Sequence, residues 1–419
     1  MEPHSRIDRS LPPSEPNCVG KPKTKMKEQV TSRGLRGAVK SRELSGTEAA
    51  LKTNWTTKVE INGIRRAGYV GALITLLALS PSAGALGIPD GSGNQILPIQ
   101  PSTVPANGDL NPYGVAFVPT EFPGGVVHPG DILVSNFNNS TNAQGTGTTI
   151  VSVSPNGQTS LFFQGTPPLG LTTALGVLKK GFVIVGNVPT TNGSNPQAGS
   201  LLVLDHAGKV VATFNDARLL DGPWDLAIQD NGNSALVFVS CVLNGTVTRL
   251  DLTVGSTNVT LNKETQIASG YMFAPNAAAL VVGPTGLAYD PLADVLYVAS
   301  TADNEIFAVA GAATATSSSG TGKVIYQDTT HLHGPLGLVL APNGNLISSQ
   351  GDAINPDPAH QSEIVEFTKT GKFVAQFSID SAVGAAFGIA IAPADIGAVD
   401  FAAVDDATNT LTVFEFSVQ

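Results

Sequence analysis

The sequence predicts an all-β fold, a six-bladed β-propeller, and three observations carry that prediction. A short phrase returns six times through the body of the chain. The composition holds 45 Gly and 28 Pro with only 13% charged residues, which suits many short strands joined by tight turns better than helices or a disordered chain. Three segments, finally, are near copies of one hairpin.

The phrase reads NPYGVAFVP from Asn111, GPWDLAIQDNG from Gly222, GPTGLAYDP from Gly283, GPLGLVLAPNG from Gly334 and AAFGIAIAP from Ala385, with a degenerate TALGVLKKG from Thr173. Its shared Gly or Asp falls at Gly114, Gly176, Asp225, Gly286, Gly337 and Gly388, spaced 62, 49, 61, 51 and 51 residues apart. That period belongs to propeller blades rather than helical solenoids. Each unit opens on a small apolar strand such as Leu287-Ala288-Tyr289. A turn such as Asp230-Asn231-Gly232 or Pro342-Asn343-Gly344 follows, where Pro, Asn and Gly supply the fixed or positive φ that turns require. The second strand is apolar on both faces, as in ILVSN from Ile132 or VLYVAS from Val295, and reads as buried. The third strand alternates, as in IFAV from Ile306 and EIVEF from Glu363. The outer strand closes the near-identical hairpins SPNGQTSLFF from Ser154, DHAGKVVATF from Asp205 and TKTGKFVAQF from Thr368. Four antiparallel strands make a blade and six blades make a ring, which leaves no long open edge. The sixth unit runs out after LTVFEF from Leu411, so Gln95–Gln100 is expected to supply its fourth strand from the N-terminal side.

Residues 1–85 read as a basic leader and signal peptide, and residues 86–419 as a single propeller domain. Ala67–Leu79 is a run of thirteen uncharged residues directly after Arg65-Arg66, followed by Ala83-Gly84-Ala85. A basic flank, a short apolar core and an A-x-A site describe a secretory signal. The run is short of the roughly 20 apolar residues of a membrane span, so the expectation is a secreted or periplasmic protein with no stable span after cleavage. The mature chain is expected to begin near Leu86, and N-terminal sequencing of exported material that still carried residues 20–60 would overturn this.

Residues 1–66 hold fourteen Lys and Arg against seven Asp and Glu, a net of +7, while the rest of the chain holds nine against twenty-six, a net of −17. A body this acidic repels phosphate backbones and excludes nucleic acid as a partner. Cys18 lies in the leader and Cys241 stands alone in the body, so no disulfide is expected. No G-x-S-x-G elbow or P-loop occurs, which leaves serine hydrolysis and nucleotide hydrolysis without support.

At GPTGLAYDPLADVLYVASTADNEIFAV, from Gly283, the chain resembles the NHL-repeat and SMP-30-like six-bladed propellers. Ser300 stands at that repeat's Asp position, Asp303 at its Asn position and Glu305 at its Arg position. The third unit, VSCVLNGTV, keeps Asn244 but has Cys241 where the Asp would stand. The resemblance spans about residues 111–417 and implies the propeller fold; propellers host binding modules, lyases and lactonases alike.

In such a ring, the loop after each second strand and the loop into each first strand open on one face. That rule collects Asn136 and Asn138, Asn187, Asn244, Asp303, Asp352, and Asp405 with Asp406, joined by Asn111, Asp221 and His333 at the first strands, with Asp225 beside Trp224 pointing toward the axis. Carboxylate and amide oxygens converging on one axis suit a hard cation such as Ca²⁺, and Asp225, Asp303, Asp352 and Asn187 are its expected ligands. Equally, Asn and Asp end strands and form Asx turns with no ligand at all. His331-x-His333 offers a base or metal ligand, or two exposed loop histidines. Two functions follow. One is a binding module taking a protein, glycan or small molecule over this rim. The other is a metal-dependent lactonase- or lyase-like enzyme using the rim Asp/Asn cluster, weakened by the lack of a Glu at any expected rim position. No catalytic residue is singled out.

Overall fold

The computed structural model describes residues 100–351, 359, 363–379, 385–392 and 398–417. The leader assigned to residues 1–85 lies outside them. Six antiparallel sheets form the blades of a propeller, and strand order in every sheet follows chain order. The inner strands are Leu110–Phe117, Leu171–Leu178, Pro223–Asp230, Pro284–Asp290, Pro335–Leu340 and Ala386–Ala392. Each packs on the next, and the last packs back on the first, closing the ring. No helix long and apolar enough to cross a membrane occurs among the described residues.

The second strands are the buried layer. Ile132–Asn138 and Phe182–Asn187 have every side chain buried, because each sheet is covered on both faces by its neighbouring blades. Such a strand is apolar except where a buried polar side chain finds a partner, as Ser135 and Asn136 do. The three similar hairpins share one hydrogen-bond scheme: Gly157, Gly208 and Gly371 donate to the carbonyls of Ser154, Asp205 and Thr368, and all three glycines take positive φ. One expectation needs correction. The third strand Glu363–Phe367 does not alternate, and all five side chains are buried. Glu366 is held by the side-chain amides of Asn343 and Asn345.

All six inner strands carry the same irregularity against their second strand, near their third residue. There the chain turns its backbone toward the next blade. A Cβ on Gly286 would stand 2.5 Å from the Leu336 carbonyl oxygen, and one on Gly388 only 1.9 Å from that of Tyr113, so close approach of backbones requires glycine here. In the second blade the register pairs Leu175 with Val185, as Val115 pairs with Val134 in the first. The ring position in that blade is therefore Ala174, not the Gly176 that the degenerate phrase suggested, because Leu171–Leu178 carries one more residue in its bulge.

Hydroxyl groups tie the blades together at this level. Ser135 accepts from Gly114 N and donates to Thr172 O of the next blade, and Ser349 repeats the arrangement between Gly337 N and Phe387 O. Thr172 donates to Pro223 O, and Thr285 and Thr301 donate to Pro335 O.

The last sheet has three described strands, ending in Thr410–Ser417. The N-terminal segment does attach to it: Ser102 bridges Thr410, Leu411 N donates to Pro101 O, and Thr103 donates through its amide and its hydroxyl to Asn409 O at 2.9 and 3.0 Å. Of the expected closing strand Gln95–Gln100, only Gln100 lies within the described residues, and it belongs to no strand.

Candidate functional site: an axial channel open at one face

The face that carries the predicted rim is closed at its centre. Tyr113 stacks on Phe137 at 4.6 Å between ring centroids and on Phe387 at 4.7 Å, and Trp224 meets Tyr113 and Phe137 edge-on. Offset and edge-to-face pairs of this kind are the favoured aromatic contacts. A hairpin between the third and fourth blades, Ala274–Asn276 with Leu280–Val282, adds Leu280 and Val281 to the same buried cluster. Its tip crosses the ring, since Gln144 of the first blade donates to the Ala278 carbonyl at 2.7 Å.

The predicted rim residues therefore surround a plug, and most of their side chains bond the loops, while the buried side-chain oxygens of Asn111, Asn136 and Asn138 have no hydrogen-bond partner among the described residues. Asn136 donates to Thr103 O and Thr149 Oγ1, Asn138 to Asn142, and Asn187 donates to Ser200 while accepting from Gly170 N. Asn111 takes a positive φ of 60°, and its amide donates to Asn409. Asn244 bonds Arg218 O and Thr246. Asp221 is half-buried beside Cys241, and burial raises its carboxyl above the usual range. The buried thiol of Cys241 is pushed up to about 12 by burial. Asp405 accepts from Thr408 N, and Asp303 from Ser300 Oγ and Met272 N. Asp225 bonds neither Asp303 nor Asn187; its carboxylate accepts from Leu226 N and Leu287 N. Asp352 lies outside the described residues. Among the described residues no three His, Cys, Asp or Glu side chains come together as a metal would require.

The histidine pair departs from expectation. His331 and His333 are not exposed, and each faces a carboxylate. His331 Nδ1 lies 2.6 Å from Asp328 Oδ2, and its ring stacks on Phe373. Burial would raise the Asp328 carboxyl, but His331, the Thr330 amide and the Tyr326 hydroxyl bring it down to about 2. His333 Nδ1 lies 3.3 Å from Oε2 of Glu363, whose side chain is 1% exposed, and its amide donates to Gln350. Glu363 thus stands beside a predicted rim residue, though not at one of the expected rim positions. It was hidden because Glu363 opens a third strand, a position the rim rule did not sample.

Behind the plug the axis is hollow. A cavity of about 1000 Å³ runs between the inner strands and opens where they end, at the turns into the second strands. This is the face opposite the predicted rim. Apolar residues of all six blades border it, including Val115, Leu175, Leu226, Leu287, Leu338 and Ile389, which occupy one register in the six strands. Glu121, Lys179 and Asp400 stand near the mouth, and Lys179 Nζ pairs with Glu121 at 3.0 Å. Asp225 borders the cavity at its closed end, adjacent in sequence to the plug residue Trp224.

Asp225 occupies the ring position that is glycine in four other blades. In place of direct backbone contact, its carboxylate spans from the third blade to Leu287 N of the fourth. Enclosure by the inner strands pushes its pKa well above the ordinary carboxylate range, against the lowering effect of the two amide donors. One side of the group nevertheless faces the channel, since the residue is not fully buried.

No family model matches the chain, and no curated protein sequence matches it. Solved structures do. A streptogramin B lyase is 15% identical, with 76% of this chain and 87% of that one covered and a TM-score of 0.42. A luciferin-regenerating enzyme is 10% identical over 77% and 95% of the two chains, with a TM-score of 0.45. The calcium-binding protein regucalcin of Agrobacterium tumefaciens is 12% identical over 76% and 95%, with a TM-score of 0.45.

Proposed function

We propose that this chain is a binding module that takes a small molecule into its axial channel through the face of the first turns of the blades. One observation carries the reading: the channel is plugged at one end and open at the other, so it is a pocket rather than a pore. Its volume lies at the upper end of the range of small-molecule sites, and its walls combine apolar side chains with a few polar groups, as such sites do. The test is a crystal soaked with a mixed library of neutral and charged fragments. Fragments should occupy the channel between Asp225 and the mouth. Fragments found only on the opposite face, around Met272 and Phe273 or His333, would overturn it.

A second reading, an enzyme, is favoured by one observation, the His333–Glu363 pair. A buried carboxylate beside an imidazole orients the ring and fixes its tautomer, which is the arrangement a general base uses. The metal-dependent form, with Ca²⁺ on Asp225, Asp303, Asp352 and Asn187, is a separate proposal, and it needs the Asp225 carboxylate to leave its two amide donors.

A further inference from the structure

We propose that the channel selects a small organic monocation, an ammonium group on an apolar body, and seats the charge against Asp225. This rests on the channel being the binding site, and it adds the class of ligand. The argument begins with the charges that border the cavity. Among the described residues these are Glu121, Asp225 and Asp400 against Lys179 alone, and Lys179 is engaged by Glu121. An anion would meet no uncommitted cation and would lie along a wall that already repels it.

Position narrows the choice further. Asp225 stands at the closed end, where water access is least and where the plug residues Tyr113, Trp224 and Phe387 exclude solvent from behind. A carboxylate in such surroundings has exchanged bulk water for two backbone amides, and an opposite charge beside it recovers much of the lost solvation. A divalent metal ion fits less well. Ca²⁺ needs six to eight oxygen ligands, whereas both Asp225 oxygens already accept hydrogen bonds and Asp225 belongs to no group of three or more His, Cys, Asp or Glu side chains among the described residues. An ammonium group needs only one charge-assisted hydrogen bond to a remaining lone pair, while its hydrocarbon body lies against the aliphatic residues contributed by every blade.

The experiment uses three probes with one body, 4-phenylbutylammonium, 4-phenylbutanol and 4-phenylbutanoate, titrated calorimetrically into the whole protein. The ammonium should bind about tenfold or more tightly than the alcohol, a difference of about 1.4 kcal/mol, and the carboxylate should not bind. Asp225→Asn should bring the ammonium down to the level of the alcohol. Should that variant fail to fold, the pH series on the wild type decides. The groups facing the site are Asp225, Glu121, Asp400, Lys179 and Tyr289, and the Tyr289 hydroxyl is pushed up to about 12, first by burial. Affinity for the ammonium should therefore keep rising above the pH at which surface carboxylates are already ionised, while affinity for the alcohol stays flat. Equal binding of ammonium and alcohol overturns the cation but leaves the channel as a binding site. Absence of binding by all three overturns both readings. A melting point raised by Ca²⁺ and not by the ammonium would assign the charge to a metal ion and also overturn the proposal.

Discussion

Replacing Trp224 by Ala is expected to lower stability by about 3–5 kcal/mol, the range for deleting a large buried aromatic side chain. The residue is 1% exposed and touches Tyr113 and Phe137, so its loss leaves a hole in the plug that links five blades and the crossing hairpin. The conservative change separates packing from polarity. The Trp224 indole N–H has no partner among the described residues. Trp224→Phe therefore removes an unsatisfied donor as well as part of a ring, and should cost less than about 1.5 kcal/mol. Denaturant unfolding of the two variants checks this. Equal losses would mean that the indole N–H, not the packed ring, is what the plug needs. The same Ala variant should also open the closed end of the channel, which a crystal structure would show as a continuous bore.

Asp225 should make stability fall as pH rises. Enclosure holds its folded-state pKa above the unfolded value, so the native state binds the proton more tightly than the unfolded chain does. The favourable contribution is fully present below the ordinary aspartate range near pH 4 and is lost as pH rises through the folded value, at up to about 1.4 kcal/mol per pH unit in that window. Asp225→Asn cannot titrate. The stability difference between variant and wild type should therefore move steadily in favour of Asn from about pH 4 upward. Chemical unfolding of both proteins across pH 4 to 8 measures it, and parallel curves would show that Asp225 does not carry this penalty. Saturating ammonium should flatten the wild-type decline, because a bound cation stabilises the ionised carboxylate.

The sheets were legible because their determinants are local. Turn residues such as Asn231-Gly232 and Asn343-Gly344, and second strands such as FVIVGN, fix where each strand begins, ends and hides. The spacing of the phrase then fixes the number of blades. Even the plug left a trace, since an aromatic precedes the ring position at Tyr113, Trp224 and Phe387 and nowhere else in the six phrases. The degenerate second unit misled by two residues because a longer bulge cannot be told from a shifted repeat without the partner strand. Glu363 escaped because a strand-opening Glu looks solvent-facing until the next blade covers it.

The sequence by itself determined six sheets, their order and the face on which each loop emerges, all of which follow from periodicity and turn chemistry within about fifty residues of chain. Which face of the ring stays open was decided only by tertiary structure. Several Asn and Asp side chains of the expected rim, among them Asn187, Asn244, Asp303 and Asp405, bond loop groups around a core that the hairpin of Ala274–Val282 helps to close from across the ring. That closure depends on residues more than a hundred positions apart meeting at the axis, such as Gln144 with Ala278, and no local pattern encodes such a meeting. The burial of Asp225 arises in the same way, from strands of neighbouring blades converging on a side chain that its own strand leaves exposed.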